Sequence, residues 1–154
     1  MKSKRRKSRE LAMQMLFQAD LGQQNPDQVQ KTFWTSRDEV DAATQGFAED
    51  LFRAANARLE EIDTLIVEAS RNWRLERMPA VDRNLLRAAV AEMLAYPATP
   101  LPIIINEALE VGRIYAAPES IQFLNGVLDA IARKLPRTAK QLRPAGNTSA
   151  GTAQ

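Results

Sequence analysis

The sequence predicts an all-α fold, and three observations support that prediction. Apolar residues recur at three- and four-residue spacings, the period of an amphipathic helix, over most of positions 3–135. Prolines, glycines and capping residues interrupt this pattern at short intervals. No segment shows the alternating β-branched pattern of a strand. We therefore expect about seven helices, arranged as two sub-bundles that share one helix or lie side by side.

The first two helices are indicated by an apolar stripe and by signals at their ends. The stripe of the first helix comprises Leu11, Ala12, Met15, Leu16 and Ala19. Gly22 is placed to end this helix. Asn25 then serves as the N-cap of a short second helix with Pro26 at its first position. Val29 and Phe33 are expected to face inward from it.

A long helical run follows, and Ser36 and Glu39 form a capping-box pattern that predicts its start. Its apolar positions keep helical phase to about Asn72. They are Val40, Ala43, Phe47, Leu51, Ala55, Leu59, Ile62, Ile66 and Ala69. No proline forces a break, so the run is either one helix or two with a bend near Asn56.

Three further helices complete the prediction. Positions 73–79 connect to a helix whose apolar pattern runs over 81–94, and three prolines within 97–102 prevent its continuation. Another helix covers 105–112, and the last begins at Pro118.

Two glycines lie inside these last helices. A helical glycine costs about 1 kcal/mol relative to alanine, which is tolerable where two helices cross closely. We therefore expect both Gly112 and Gly126 to lie at such crossings.

One folded domain is expected over residues 1–135. The chain has 154 residues, 45% of them hydrophobic, which is enough to bury a core. Pro136 stops the last helix, and residues 136–154 combine Pro, Gly, Ser, Thr and Ala with scattered cations. That composition predicts a disordered basic C-terminal tail.

The first nine residues hold six cations and no acid. The cations are Lys2, Lys4, Arg5, Arg6, Lys7 and Arg9. A cation at a helix N-terminus opposes the helix dipole by about 0.3–1 kcal/mol, and the sequence shows no compensation. We therefore expect a polyanion partner, with a solubility tail as the alternative. All 19 acidic residues lie between positions 10 and 129, which suits contact with a basic protein.

The composition argues against catalysis and against a resident cofactor. The chain has no histidine and no cysteine, so the usual general base, thiol nucleophile and nitrogen or sulfur metal ligands are missing. Neither a GxxxxGK[ST] nor a GxGxxG phosphate loop occurs. No apolar run is long enough to span a membrane, and no secretory signal is recognisable, so we expect a cytoplasmic protein without membrane contact.

The basic start is compatible with DNA, with RNA, with a membrane surface or with no partner, and single-stranded RNA is one candidate. Such RNA is held by phosphate contacts to Lys and Arg and by stacking on planar side chains. Phe17, two turns beyond Arg9, is either a stacking platform or a residue that packs on the second helix. If all six cations met phosphates, log affinity would fall with log salt with a slope of about −4.

Four segments carry a more specific signal. They are Arg5 to Phe17, Val81 to Arg87, Ile105-Asn106-Glu107-Ala108 and Ser120 to Asp129. They resemble the R-R-x-x-R-E-x-A-x-Q-x-L-Y start, the V-[DE]-[RK]-x-x-L-R segment, and the INEA and SxxFVNGVLD motifs of the NusB family of transcription antitermination factors. The resemblance covers roughly residues 5 to 133.

The resemblance implies two packed three-helix sub-bundles and a noncatalytic RNA-binding factor. Such a factor binds boxA RNA of nascent ribosomal transcripts together with the ribosomal protein NusE, and joins the RNA polymerase antitermination complex. By position, Arg5, Arg6, Lys7 and Phe17 would meet RNA, Glu119 and Phe123 would lie beside that surface, and Asp82 and Glu92 would face NusE. Phe17 stands where the family usually has Tyr, so its ring can stack but cannot hydrogen-bond.

Two other functions stay open at this point. A NusB-like domain also precedes some rRNA cytosine methyltransferases, although this chain has no cysteine to attack a base. A self-associating helical structural protein is the second alternative. A homodimer would be compatible with RNA binding as well.

Overall fold

The computed structural model describes residues 3–71 and 73–136 and has seven α-helices in those ranges. They are α1 (Lys4–Gly22), α2 (Pro26–Thr32), α3 (Ala42–Ala57), α4 (Leu59–Ala69), α5 (Ala80–Ala95), α6 (Leu101–Tyr115) and α7 (Ser120–Lys134). A 3₁₀ turn at Leu75–Arg77 precedes α5. No β-strand occurs in the described ranges, and the all-α prediction is confirmed.

Helix α5 is shared by two three-helix sub-bundles. It packs against α1 and α3 in the first, and against α6 and α7 in the second, where α4 adds contacts to α5 and α7. Eleven of its 16 residues are buried. Of the two arrangements that the periodicity allowed, the structure therefore has the shared helix.

The ends of α1 and α2 are fixed by local hydrogen bonds. The Ser3 hydroxyl accepts from the Arg6 N–H at 3.0 Å and caps α1. At the other end the left-handed residue is Gln23, with φ 51°, one position after the predicted Gly22. Asn25 is the N-cap of α2, as predicted, and it forms a capping box with Gln28. Both residues expected to face inward are buried.

Helix α3 begins later than predicted. Its N-cap is Asp41, whose Oδ1 accepts from the Thr44 N–H at 2.7 Å, whereas Ser36 and Glu39 are exposed in the preceding loop. The capping-box prediction at Ser36 is therefore wrong. A carboxylate caps as well as a hydroxyl, and Asp41 also accepts from Lys4 across the interface with α1.

The long run is two helices that meet at Arg58, close to the expected bend at Asn56. Arg58 has φ −130° and ψ 31°, outside the helical region. The buried face of α3 differs from the predicted stripe, because Phe52 is fully buried while Ala43 is exposed and Phe47 is half-buried. This leaves the Phe47 ring near the surface.

Ion pairs join the C-terminal half of α1 to α5 and α4. Asp20 Oδ2 accepts from Arg83 Nε at 2.8 Å and from Asn84 Nδ2 at 2.9 Å. Arg87 reaches the same oxygen and donates twice to Asp63 of α4. Burial of Asp20 raises its pKa, but hydrogen bonds from Asn84 and Arg83 outweigh that effect, and its pKa is lowered.

The two helical glycines have different surroundings. A Cβ at Gly112 would come within 3.2 Å of Leu85 Cδ2 and 3.3 Å of Ile121 Cδ1, so α5, α6 and α7 meet closely there, as expected. A Cβ at Gly126 would meet nothing within 4 Å. The prediction of a close crossing is confirmed for Gly112 and wrong for Gly126.

We expect Gly126→Ala to raise the free energy of unfolding by about 1 kcal/mol, because it adds helix propensity without a steric cost. Gly112→Ala gains the same propensity but must displace the ends of Leu85 and Ile121, so it should be the less stable variant. Urea denaturation of the two variants measures the difference. Equal stability would contradict a tight crossing at Gly112.

Candidate nucleic-acid interface

The basic start of α1 is divided between surface and interior. Lys4 Nζ lies 2.9 Å from Asp41 Oδ2 with 76% of its side chain exposed. This pair and the Thr44 N–H hold the pKa of Asp41 well below its ordinary value. Arg5 is also exposed, and its guanidinium carbon lies 3.7 Å from the centre of the Phe47 ring. These two cations can meet an external anion.

Arg6 and Arg9 instead face α5 and α6. Arg6 donates to both oxygens of Glu107, at 3.0 and 2.8 Å. Arg9 donates to both oxygens of Glu92, at 2.8 and 2.7 Å, and also lies 3.3 Å from Glu107 Oε1. Hydrogen bonding by Arg6 lowers the pKa of Glu107 despite its partial burial. The expectation that the basic start lacks compensation is therefore wrong, since carboxylates of other helices supply it.

Lys7 combines both roles. Its Nζ lies 3.3 Å from Glu10 Oε1, and the Glu10 side chain is only 1% exposed. The Lys7 side chain itself is 42% exposed, so its ammonium bridges a buried acid and solvent. It adds positive charge to the same end of α1 as Lys4 and Arg5.

Phe17 lies farther along α1 and is half-buried. One turn earlier, Gln14 Nε2 donates to the hydroxyl of Tyr115 at the end of α6, and Gln14 Oε1 accepts from Arg37. Phe17 therefore follows a polar contact between α1 and α6. The two interpretations of Phe17, stacking on RNA and packing on α2, both stay predictions.

Glu119 and Phe123 are placed at the start of α7. Glu119 is exposed at the N-cap position, and Phe123 is half-buried. The Phe123 ring lies 5.8 Å from the ring of Trp73, which is 54% exposed. Trp73 and Tyr115 were not predicted as site residues. For Trp73 the sequence did contain a signal, because a tryptophan among the charged residues of the connection before α5 is a candidate for an exposed ring.

The two residues expected to face a protein partner are buried. Glu92 is 2% exposed and is held by Arg9. Asp82 is also 2% exposed; it accepts a hydrogen bond from the Ser120 side chain, and its Oδ1 has no partner among the described residues. Burial raises the pKa of Asp82, and Ser120 partly offsets this. Neither carboxylate reaches the surface. Contact of these two residues with a protein partner stays a prediction.

Further expectations concern other parts of the chain, metal binding and membrane insertion. Lys2 and residues 137–154 lie outside the described residues. Within the described ranges, no group of three acidic, histidine or cysteine side chains is placed to hold a metal ion. None of the described helices combines the length and apolar character needed to cross a bilayer.

The fold and the site define a class of protein: an all-helical double bundle with a shared central helix and a cationic first helix. The model of the NusB family matches residues 6–133. The chain therefore belongs to the NusB family, as its motifs indicated.

Relatives and solved structures agree with this assignment. The chain is 55% identical over 137 residues to the transcription antitermination protein NusB of Koribacter versatilis, with 89% of this chain and 94% of the relative covered. It is 43% identical over 133 residues to the protein of the same name from Solibacter usitatus, with 86% and 90% covered.

Among solved structures, T. maritima NusB has a TM-score of 0.77 and 30% identity, with 92% of this chain and 98% of that chain covered. A chain in the crystal structure of antitermination factors NusB and NusE in complex with dsRNA has a TM-score of 0.78 and 27% identity, with 88% and 100% covered. These matches support the two-sub-bundle fold.

Arg9→Gln should lower the free energy of unfolding by about 3 kcal/mol, because Glu92 is left buried without its charged partner. Lys4→Gln serves as the matched control from the same helix end, since its side chain is largely exposed. Denaturant titration should separate the two variants clearly. Equal, small effects would show that the Arg9 pair contributes little to the fold.

Asp82→Asn should change how stability depends on pH. The raised pKa means that the folded state holds a proton more tightly than the unfolded state, so wild-type stability falls as pH rises from about 4 through the folded pKa. The variant lacks that fall, so its melting temperature should gain on the wild type between acidic and neutral pH. The exposed Asp129→Asn is the control, and parallel wild-type and Asp82→Asn profiles would contradict the burial effect.

Proposed function

We propose that this protein is a transcription antitermination factor that binds boxA-like single-stranded RNA together with NusE. The observation that carries the proposal is the cationic start of α1, held on a rigid frame in a chain of the NusB family. A protein with this fold has been solved with NusE and dsRNA, which supports NusE and RNA as the two classes of partner.

The proposed RNA surface begins at the exposed Lys4 and Arg5 and the partly exposed Lys7, and it extends toward Phe17. Phosphate contacts from these cations would position the RNA backbone but would carry little sequence information. Glu119 and Phe123 at the start of α7 are proposed to border the surface. Arg6 and Arg9 would then act mainly by fixing the orientation of α1, since their guanidinium groups are held by Glu107 and Glu92.

Contact with NusE is proposed for the acidic body of the protein, which suits a basic ribosomal protein. Asp82 and Glu92 belong to this proposal through the helices they hold in place, because both side chains are buried. Residues 1–135 would form the RNA-binding unit, with residues 136–154 as a basic extension. The protein would act in the cytoplasm, as a noncatalytic component of the RNA polymerase antitermination complex.

The proposal is tested by titrating a boxA RNA and a scrambled RNA of equal length, with and without NusE, over a range of salt concentrations. We expect tighter binding to boxA RNA, and a further gain when NusE is present. Phosphate contacts by these three cations predict a slope of log affinity against log salt of about −2, whereas contacts by all six would give about −4. Failure of NusE to strengthen boxA binding would overturn the antitermination function.

A further inference from the structure

Arg5 belongs to a group of planar side chains beside the basic start of α1. The Arg5 guanidinium lies over the Phe47 ring at 3.7 Å, a stacking separation. The Phe47 ring meets the Tyr96 ring edge to face, with centroids 5.3 Å apart and an interplanar angle of 66°. Three segments thus converge here: the first turn of α1, the first half of α3 and the C-cap of α5.

Arg5 differs from the other two arginines of the same helix start. Arg6 and Arg9 end on carboxylates that neutralise them, whereas Arg5 ends on an aromatic face. Contact with a ring leaves the in-plane N–H donors of a guanidinium directed sideways and leaves its charge uncancelled. Because Arg5 is exposed, the outer face of its guanidinium is open to a planar ligand.

Phe47 and Tyr96 support this position from below. Both rings are half-buried, and the Arg9 guanidinium carbon, which is itself largely buried, lies 6.0 Å from the Phe47 centroid. The orientation of Phe47 is therefore restricted by packing before any ligand arrives. A planar group that is already held in place loses little conformational freedom on binding.

An open groove lies between the start of α1 and the start of α3. It has a volume of about 320 Å³ and is lined by Ser3, Lys4, Lys7, Val40, Asp41 and Thr44. The two lysines are one helical turn apart in α1, and they flank Arg5 in sequence. Both lysines lie on the same side of Arg5 around the helix, so their ammonium groups can meet backbone phosphates next to a base that rests on Arg5.

We infer that the Arg5–Phe47 pair is a stacking site for one nucleobase of single-stranded RNA. This inference rests on the proposed function and adds a second planar contact to it, on a different face of α1 from Phe17. Guanidinium planes and aromatic rings are the surfaces on which proteins stack unpaired bases. The site would hold a base by its face and would tolerate any of the four bases.

Two conservative substitutions test the stack while keeping the charge and the apolar volume. Arg5→Lys retains the cation but loses the plane, and Phe47→Leu removes the ring beneath Arg5. Each should weaken binding of the boxA RNA, in the presence of NusE, by about five- to tenfold, in keeping with the loss of one base stack. The salt slope should stay unchanged. The double variant should be no weaker than the weaker single variant, because both changes remove the same unit.

Abasic RNAs distinguish stacking from a phosphate contact by Arg5. One base at a time is removed from the boxA RNA while its phosphates are kept. At one position the abasic change should weaken binding to the wild type about five- to tenfold, yet change the affinity of Arg5→Lys by less than twofold. If every abasic RNA affects the wild type and Arg5→Lys equally, the inference is overturned.

Two controls separate this result from folding effects and from failure of the proposed function. Arg58→Lys changes an exposed arginine at the α3–α4 junction and should bind as the wild type does. Phe47→Trp keeps a ring beneath Arg5 and should retain affinity even if Phe47→Leu lowers the melting temperature. A wild type that binds no boxA RNA overturns the proposed function, whereas a wild type that binds equally well after both substitutions overturns only the stacking site.

Discussion

Two sets of ion pairs attach α1 to α5 at both of its ends. Near the N-terminus Arg9 pairs with Glu92, and near the C-terminus Asp20 pairs with Arg83. These contacts set α1 and α5 antiparallel and fix their register over about three turns. Arg6 pairs with Glu107 of α6, so α1 is also attached to the second sub-bundle. The surface that α1 presents to a ligand depends on this attachment.

The same contacts change the meaning of the cation count at the start of the chain. Six cations in nine residues suggest six phosphate contacts, but carboxylates from α5 and α6 occupy Arg6 and Arg9. A guanidinium in a bidentate pair has its donors aligned on one partner, and a phosphate would have to compete with that partner. The basic start is therefore partly a structural anchor and partly an exposed surface, with the boundary falling between neighbouring residues.

The sequence predicted the fold class, the two possible bundle arrangements, the N-cap of α2 at Asn25 and the bend near Asn56, because these follow from local periodicity and from signals at helix ends. The features that the sequence did not predict depend on contacts between helices that are distant along the chain. Asp41 became the N-cap of α3 through its position against Lys4, and Glu92 was assigned to the surface although α1 supplies a guanidinium that allows its burial. Trp73 and Phe47 were not predicted to lie at the surface, because their exposure is determined by elements distant in sequence.

The shared position of α5 has a consequence for cooperativity. Because α5 contributes to the apolar core of both sub-bundles, neither half can open without exposing the buried face of this one helix. Subglobal unfolding requires a segment that can detach while the remaining core stays covered. Neither sub-bundle is such a segment, because both share α5. The protein is thus built to unfold as a single unit, and amide protons of α5 are expected to exchange only through global opening. A ligand that binds at the start of α1 would accordingly stabilise the whole domain, including helices that it does not touch.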